Sequence, residues 1–168
     1  TFHGHDAVGE RMINEVAKRM KLPNVLKFYL KKLTRLHLRP IALVKDIVTD
    51  SALRRLMVAA GDDLEDLMIL CRADITTKNP KKVKKYLKNF EKVEQKMESV
   101  FEKDSIKSFQ SPVRGEEIMK IFNINEGPRI GKLKKKVEEA ILNGDIQNTH
   151  QEALAFLINI KDKTKKLN

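Results

Sequence analysis

The sequence predicts an all-α protein, and three observations carry that prediction. Apolar residues recur three and four positions apart nearly throughout, the period of a helix with one buried face, and strand alternation is convincing nowhere. Seven glycines and five prolines in 168 residues are too few for a turn-rich sandwich. Between the apolar stripes stand residues whose chemistry starts and stops helices.

Val8, Met12, Ile13, Val16, Ala17 and Met20 form the first stripe, which Leu22-Pro23 ends. Leu26, Tyr29, Leu30, Leu33 and Leu36-His37 form the second, closed by Arg39-Pro40 because a residue before proline is pushed out of the helical region. A short segment from Ile41 to Val48 reaches Thr49-Asp50. Asp50 is placed to cap a helix from Ser51 to Ala60, with Gly61 as its C′ residue. Asp62 and Glu65 have capping-box spacing and would open a helix from Leu64 to Ile75.

After Asn79-Pro80 the character changes. Residues 81–103 read as one long polar helix with a narrow seam at Val83, Leu87, Phe90, Val93, Met97, Val100 and Phe101. A polar connector, Asp104 to Pro112, follows. A short helix from Glu116 to Phe122 comes next, and then Pro128 suits the first turn of a helix that Gly144 ends. Thr149 and Glu152 form a capping box before a terminal helix with Leu154, Leu157, Ile158 and Ile160 on its stripe. The Lys161 to Lys166 run is expected to fray. The predicted division is residues 1–80, 81–111 and 112–168.

Composition narrows the function classes. No apolar run approaches the ~20 residues that span a bilayer, and no secretory signal pattern occurs, so a reducing cytoplasm is the expected setting. A single cysteine, Cys71, excludes an intrachain disulfide and reads as a small buried hydrophobe. The net charge of +11 fits either a lysine-rich solvated surface or a polyanionic partner. Lys81, Lys82, Lys84, Lys85, Lys88 and Lys92 crowd the first half of the long helix, where the macrodipole disfavours cations by up to about 1 kcal/mol. That arrangement makes a bound polyanion credible. Arg129, Lys132, Lys134, Lys135 and Lys136 gather similarly around Gly127-Pro128-Arg129-Ile130-Gly131. There, Gly131 would let another backbone approach, and free N–H groups favour a phosphate.

Candidates for metal chemistry are few. His5, His37 and Asp74 are the obvious ligand types, and a metal needs three or four that converge. Asp74 lies among Leu70, Ala73 and Ile75 and so calls for a partner: a metal, Arg54 or Arg55, or a helix cap. A surface position is the alternative for His5, and a satisfied structural role for His37. No P-loop, Rossmann glycine pattern, zinc spacing or Asp-x-Asp pair after a Gly-Ser turn is present. No catalytic residue is assigned.

Phe2-x-x-His5-x-x-x-Gly9 resembles the second signature segment of the HD superfamily, and more closely the HD region in the C-terminal part of bacterial CCA-adding tRNA nucleotidyltransferases. Leu36-His37-Leu38-Arg39-Pro40, Asp50 to Arg55 and Arg72 to Asn79 resemble the blocks that follow in that family. Gly115 to Met119, Gly127 to Gly131 and Ile141 to Asp145 resemble its C-terminal RNA-binding segment. On this likeness the metal-binding His-Asp dyad lies upstream, His5 is an additional histidine, Asp6 a cap, and Asp74 the superfamily's terminal aspartate. His5 and Asp74 are then the metal candidates of an incomplete site.

The resemblance implies an HD-like half in residues 1–80, a long linking helix, and an RNA-binding module in 112–168. It implies a larger enzyme that adds CMP and AMP from CTP and ATP to tRNA 3′ ends, with Mg²⁺ held in an N-terminal nucleotidyltransferase head outside this chain. The expected partners are tRNA and that head, and no membrane. Lys81, Lys82, Lys85, Lys88, Arg129, Lys132, Lys134 and Lys135 are the expected RNA contacts. Two other readings stay open: part of a metal-dependent HD phosphohydrolase, or a noncatalytic helical interaction module.

Overall fold

The computed structural model describes residues 4–45, 48–104 and 111–165. Among these, all regular structure is helical: α1 (His5–Arg19), α2 (Asn24–Leu36), α3 (Leu38–Lys45), α4 (Asp50–Ala60), a 3₁₀ turn (Gly61–Asp63), α5 (Leu64–Ala73), α6 (Pro80–Asp104), α7 (Gly115–Phe122), α8 (Pro128–Asn143) and α9 (His150–Lys165). The chain forms two compact units, Thr1–Phe101 and Glu102–Asn168. Phe2, His3, most of the predicted connector and Lys166 lie outside the described residues.

In the first unit α1 and α2 pair extensively. They approach closely at Gly9, where an added Cβ would stand 2.8 Å from the Thr34 methyl. The hairpin closes at Lys21, a left-handed residue at φ 52 whose neighbour Leu22 donates its N–H to the Ala17 carbonyl. A lysine there costs roughly 1 kcal/mol that glycine would avoid. Leu33 and Leu36 of α2 are buried with Leu53, Leu56 and Met57 of α4 and Leu67, Met68 and Cys71 of α5. Cys71 is fully buried, which pushes its thiol up to about 12, and its S–H donates to the His37 carbonyl.

The long helix α6 buries Phe90, Val93, Met97 and Val100. Ion pairs fix its flank, Arg72 with Glu94 and Lys96 with Asp50, the latter at 3.2 Å. The seam is buried from Phe90 to Val100. Before it, Val83 is half-buried and Leu87 exposed.

Several local predictions need correction. Pro40 does not end a helix; it sits fully buried in the first turn of α3, where proline's missing N–H costs no intrahelical bond. Thr49, not Asp50, caps α4, its hydroxyl accepting from the Ala52 N–H at 3.3 Å. Asp62 caps nothing, because Gly61–Asp63 winds as a 3₁₀ turn directly into α5. Val8, Met12 and Met20 are exposed, since α2 covers a neighbouring face of α1 that includes Ala17.

The second unit is a three-helix cluster. Val113, Ile118, Leu133, Val137, Ile141, Ala153 and Leu157 form its core. Pro128 starts α8, and Gly144 ends it in the left-handed conformation at φ 84. Thr149 caps α9, accepting from the Glu152 N–H at 3.4 Å. Ile158 is exposed rather than part of the α9 stripe. No helix among the described residues is long and apolar enough to cross a membrane.

Candidate nucleic-acid interface

Two basic surfaces emerge, one in each unit. In the first, Asn79 accepts with its side-chain oxygen from the N–H groups of Lys81 and Lys82, so this cap fixes where α6 begins. Burial of the later seam then turns the early lysines outward: Lys81, Lys82, Lys84, Lys85 and Lys88 are all exposed. Lys84 and Lys88 flank a shallow groove floored by Val83 and Leu87, which Lys78 also lines. Of the four residues expected to bind RNA here, only Lys88 lines that groove. Lys81, Lys82 and Lys85 share the helix without lining it.

In the second unit, Glu117 Oε2 accepts from the Arg114 N–H at 2.8 Å and Oε1 meets His150 Nε2 at 2.6 Å. These bonds tie the starts of α7 and α9 together. They hold the Glu117 carboxyl below its ordinary range, chiefly through the Arg114 N–H and then through His150. The start of α8 carries no side-chain cap. Its glycines Gly127 and Gly131 border an open groove that Arg114, Met119 and Ile130 line together with the acids Glu116 and Glu126. A Cβ on either glycine would meet nothing within 4 Å.

Among the described residues no backbone from another element therefore comes close at Gly131, contrary to the reason packing alone would give for a glycine. Gly131 lies within α8, where glycine costs roughly 0.5–1 kcal/mol relative to alanine. Neither packing nor a left-handed backbone calls for it.

Arg129 and Lys132 are exposed beside this groove's end of α8. Lys132 and Lys135 also line a second groove with Lys136, Phe156 and Ile160. Lys134 is half-buried and lines neither groove. Phe156 went unnoticed in the sequence, although its spacing of four from Ile160 places both on one face of α9.

The candidate metal ligands are only partly assembled. His5 Nε2 and His37 Nε2 stand 3.0 Å apart. His37 Nδ1 faces the Thr34 carbonyl at 2.6 Å and donates to it. Asp74 is exposed at the end of α5, so the burial that called for a partner is absent. Among the described residues no three His, Cys, Asp or Glu side chains cluster as a metal site.

An all-helical chain with uncovered lysine faces and an open, glycine-bordered helix start fits a protein that handles a polyanion. Residues 41–157 match the family of tRNA nucleotidyltransferase domain 2, and the chain belongs to that family. It is similar to the A-adding tRNA nucleotidyltransferase of Deinococcus radiodurans, with 28% identity over 162 residues. That match covers 94% of this chain and 35% of the relative, so the chain spans about a third of the relative's length. No solved structure matches the chain.

Proposed function

We propose that this chain is the tRNA-holding helical part of a cytoplasmic nucleotidyltransferase that adds CCA nucleotides to tRNA 3′ ends. The observation that carries the reading is the start of α8. It is uncapped by any side chain, bordered by glycines with open space before them, and flanked by Arg129 and Lys132. Orphan N–H groups, the positive end of the helix dipole and two cations act together there on a phosphate. The lysines of early α6 supply a second electrostatic contact.

Family membership supports tRNA as the polyanion, and the similarity to an A-adding tRNA nucleotidyltransferase supports nucleotide addition to tRNA. Nucleotidyl transfer itself, with Mg²⁺, ATP and CTP, belongs to an N-terminal head outside this sequence. Two-metal transfer needs an Asp-x-Asp pair, and the sequence has none in that context. His5 and Asp74 would contribute to an HD-type metal site only with ligands from beyond these residues.

The test is a tRNA-binding titration of the purified chain at two salt concentrations. Reversing Arg129 and Lys132 together to Glu is expected to weaken binding about tenfold, about 1.4 kcal/mol. Glu98→Gln, on the exposed acidic part of α6, serves as control. Equal affinities for all variants, or no binding at low salt, would overturn the proposal.

A further inference from the structure

The closed end of the α1–α2 hairpin has a composition unlike the rest of its unit. Met20, Val25 and Phe28 are 61%, 82% and 62% exposed, and they flank the turn or follow it by one helical turn. Lys18, Arg19, Lys21 and Lys27 neighbour them in sequence, and Lys27 stands beside the Phe28 ring. Between Glu15 and Asp46 the sequence contains no Asp or Glu.

Cations further along the same hairpin are neutralised. Arg35 pairs with Asp6 at 2.6 Å and with Glu10 at 3.8 Å, Lys31 with Glu10 at 3.8 Å, and Lys32 with Asp63 at 2.5 Å. At the tip, by contrast, Lys18, Arg19, Lys21 and Lys27 have no acidic partner among the described residues. Lys27 bonds instead to the Asn24 side-chain oxygen at 2.9 Å, and its ammonium stands 5.0 Å from the centre of the Phe28 ring.

We infer that this tip is a further RNA contact, in which Phe28 stacks on an unpaired base while Lys18, Arg19 and Lys21 meet the adjoining phosphates. The inference rests on the tRNA reading above and adds a site that neither basic helix start contains. Charge complementarity selects an anionic occupant. The exposed aromatic selects one with flat faces, since bases splay from single-stranded RNA onto aromatic rings whatever their sequence. Lys27 beside the ring adds a cation that favours electron-rich faces there.

A photoreactive benzoylphenylalanine at position 28 of the full-length protein, irradiated with labelled tRNA, tests this. The same group at Ser99, on exposed α6, is the comparison. The expected result is a tRNA adduct at 28 that maps to an unpaired nucleotide, fades with salt and exceeds that at 99. In the protein without the label, Phe28→Ser with Lys18→Glu and Arg19→Glu is expected to weaken tRNA binding at least fivefold with helix content unchanged.

Bound tRNA that forms no adduct at 28, or binds the triple variant equally well, overturns this site and leaves the tRNA reading standing. Failure to bind tRNA at all overturns both. Protein–protein adducts at 28 that form without RNA, or preferential binding to anionic phospholipid vesicles through the tip, assign the surface to another partner and overturn it as well.

Discussion

Two glycines in helices illustrate opposite uses of a missing side chain. At Gly9 the space is already occupied, because the Thr34 methyl stands 2.8 Å from where a Cβ would be. Thr34 is β-branched and turns away only with difficulty. Gly9→Ala is expected to lower stability by about 1–3 kcal/mol despite alanine's better helix propensity, as measured by urea denaturation. At Gly131 the space is open. Gly131→Ala is expected to raise stability by about 0.5–1 kcal/mol and to weaken tRNA binding, because the methyl would occupy the surface offered to the phosphate chain. A variant that is more stable and binds tRNA as well as before would remove Gly131 from the interface.

At the scale of elements, the second unit depends on how its helix starts are tied. Glu117 joins α7 to α9 through Arg114 and His150, and those bonds depress its pKa below the ordinary value of 4.5. A carboxyl depressed in the folded state contributes stability that is fully present above its unfolded pKa. That contribution is lost as pH falls through the folded one. The melting temperature of the second unit should therefore decline as pH falls below about 4.5, and Glu117→Gln should make that decline shallower while lowering the neutral-pH value. Melting curves from pH 7 to pH 3 check this, and parallel curves for the two proteins would dismiss the tie. In the first unit the Arg72–Glu94 and Lys96–Asp50 pairs hold α6 by its second half, which leaves its lysine-rich first half outward.

For the molecule as a whole, binding energy and chemistry are expected to separate. With +11 net charge and two lysine faces, tRNA affinity should fall linearly on a log–log plot against salt. Each phosphate contact removed should flatten that slope by roughly 0.7–0.9. Filter binding across a salt series measures it, and a slope unchanged by the Arg129/Lys132 reversal would place the contacts elsewhere. The same chain should incorporate no labelled ATP or CTP into tRNA, because it offers no Asp-x-Asp pair for two metals. Mg²⁺-dependent labelling by the purified chain would refute that division.

The helical class, the positions of α6 and α8, and the helix stops at Gly61 and Gly144 follow from local rules that any short window of this sequence contains. So does the concentration of lysine at two helix starts. Likeness of motif order, from His5 through Gly131, carried the family. Tertiary structure decided what local rules leave degenerate. Which of two adjacent apolar faces α1 buries depends on where α2 lies, so Ala17 went inside while Met12 and Met20 stayed out. His5 meets His37, thirty-two residues away, a contact that no spacing encodes. Asp74 stands among apolar neighbours in sequence yet is exposed in space, and Leu70 and Ala73 are exposed with it at the end of α5. Periodicity fixes the elements, and only their mutual packing fixes which side chains remain exposed.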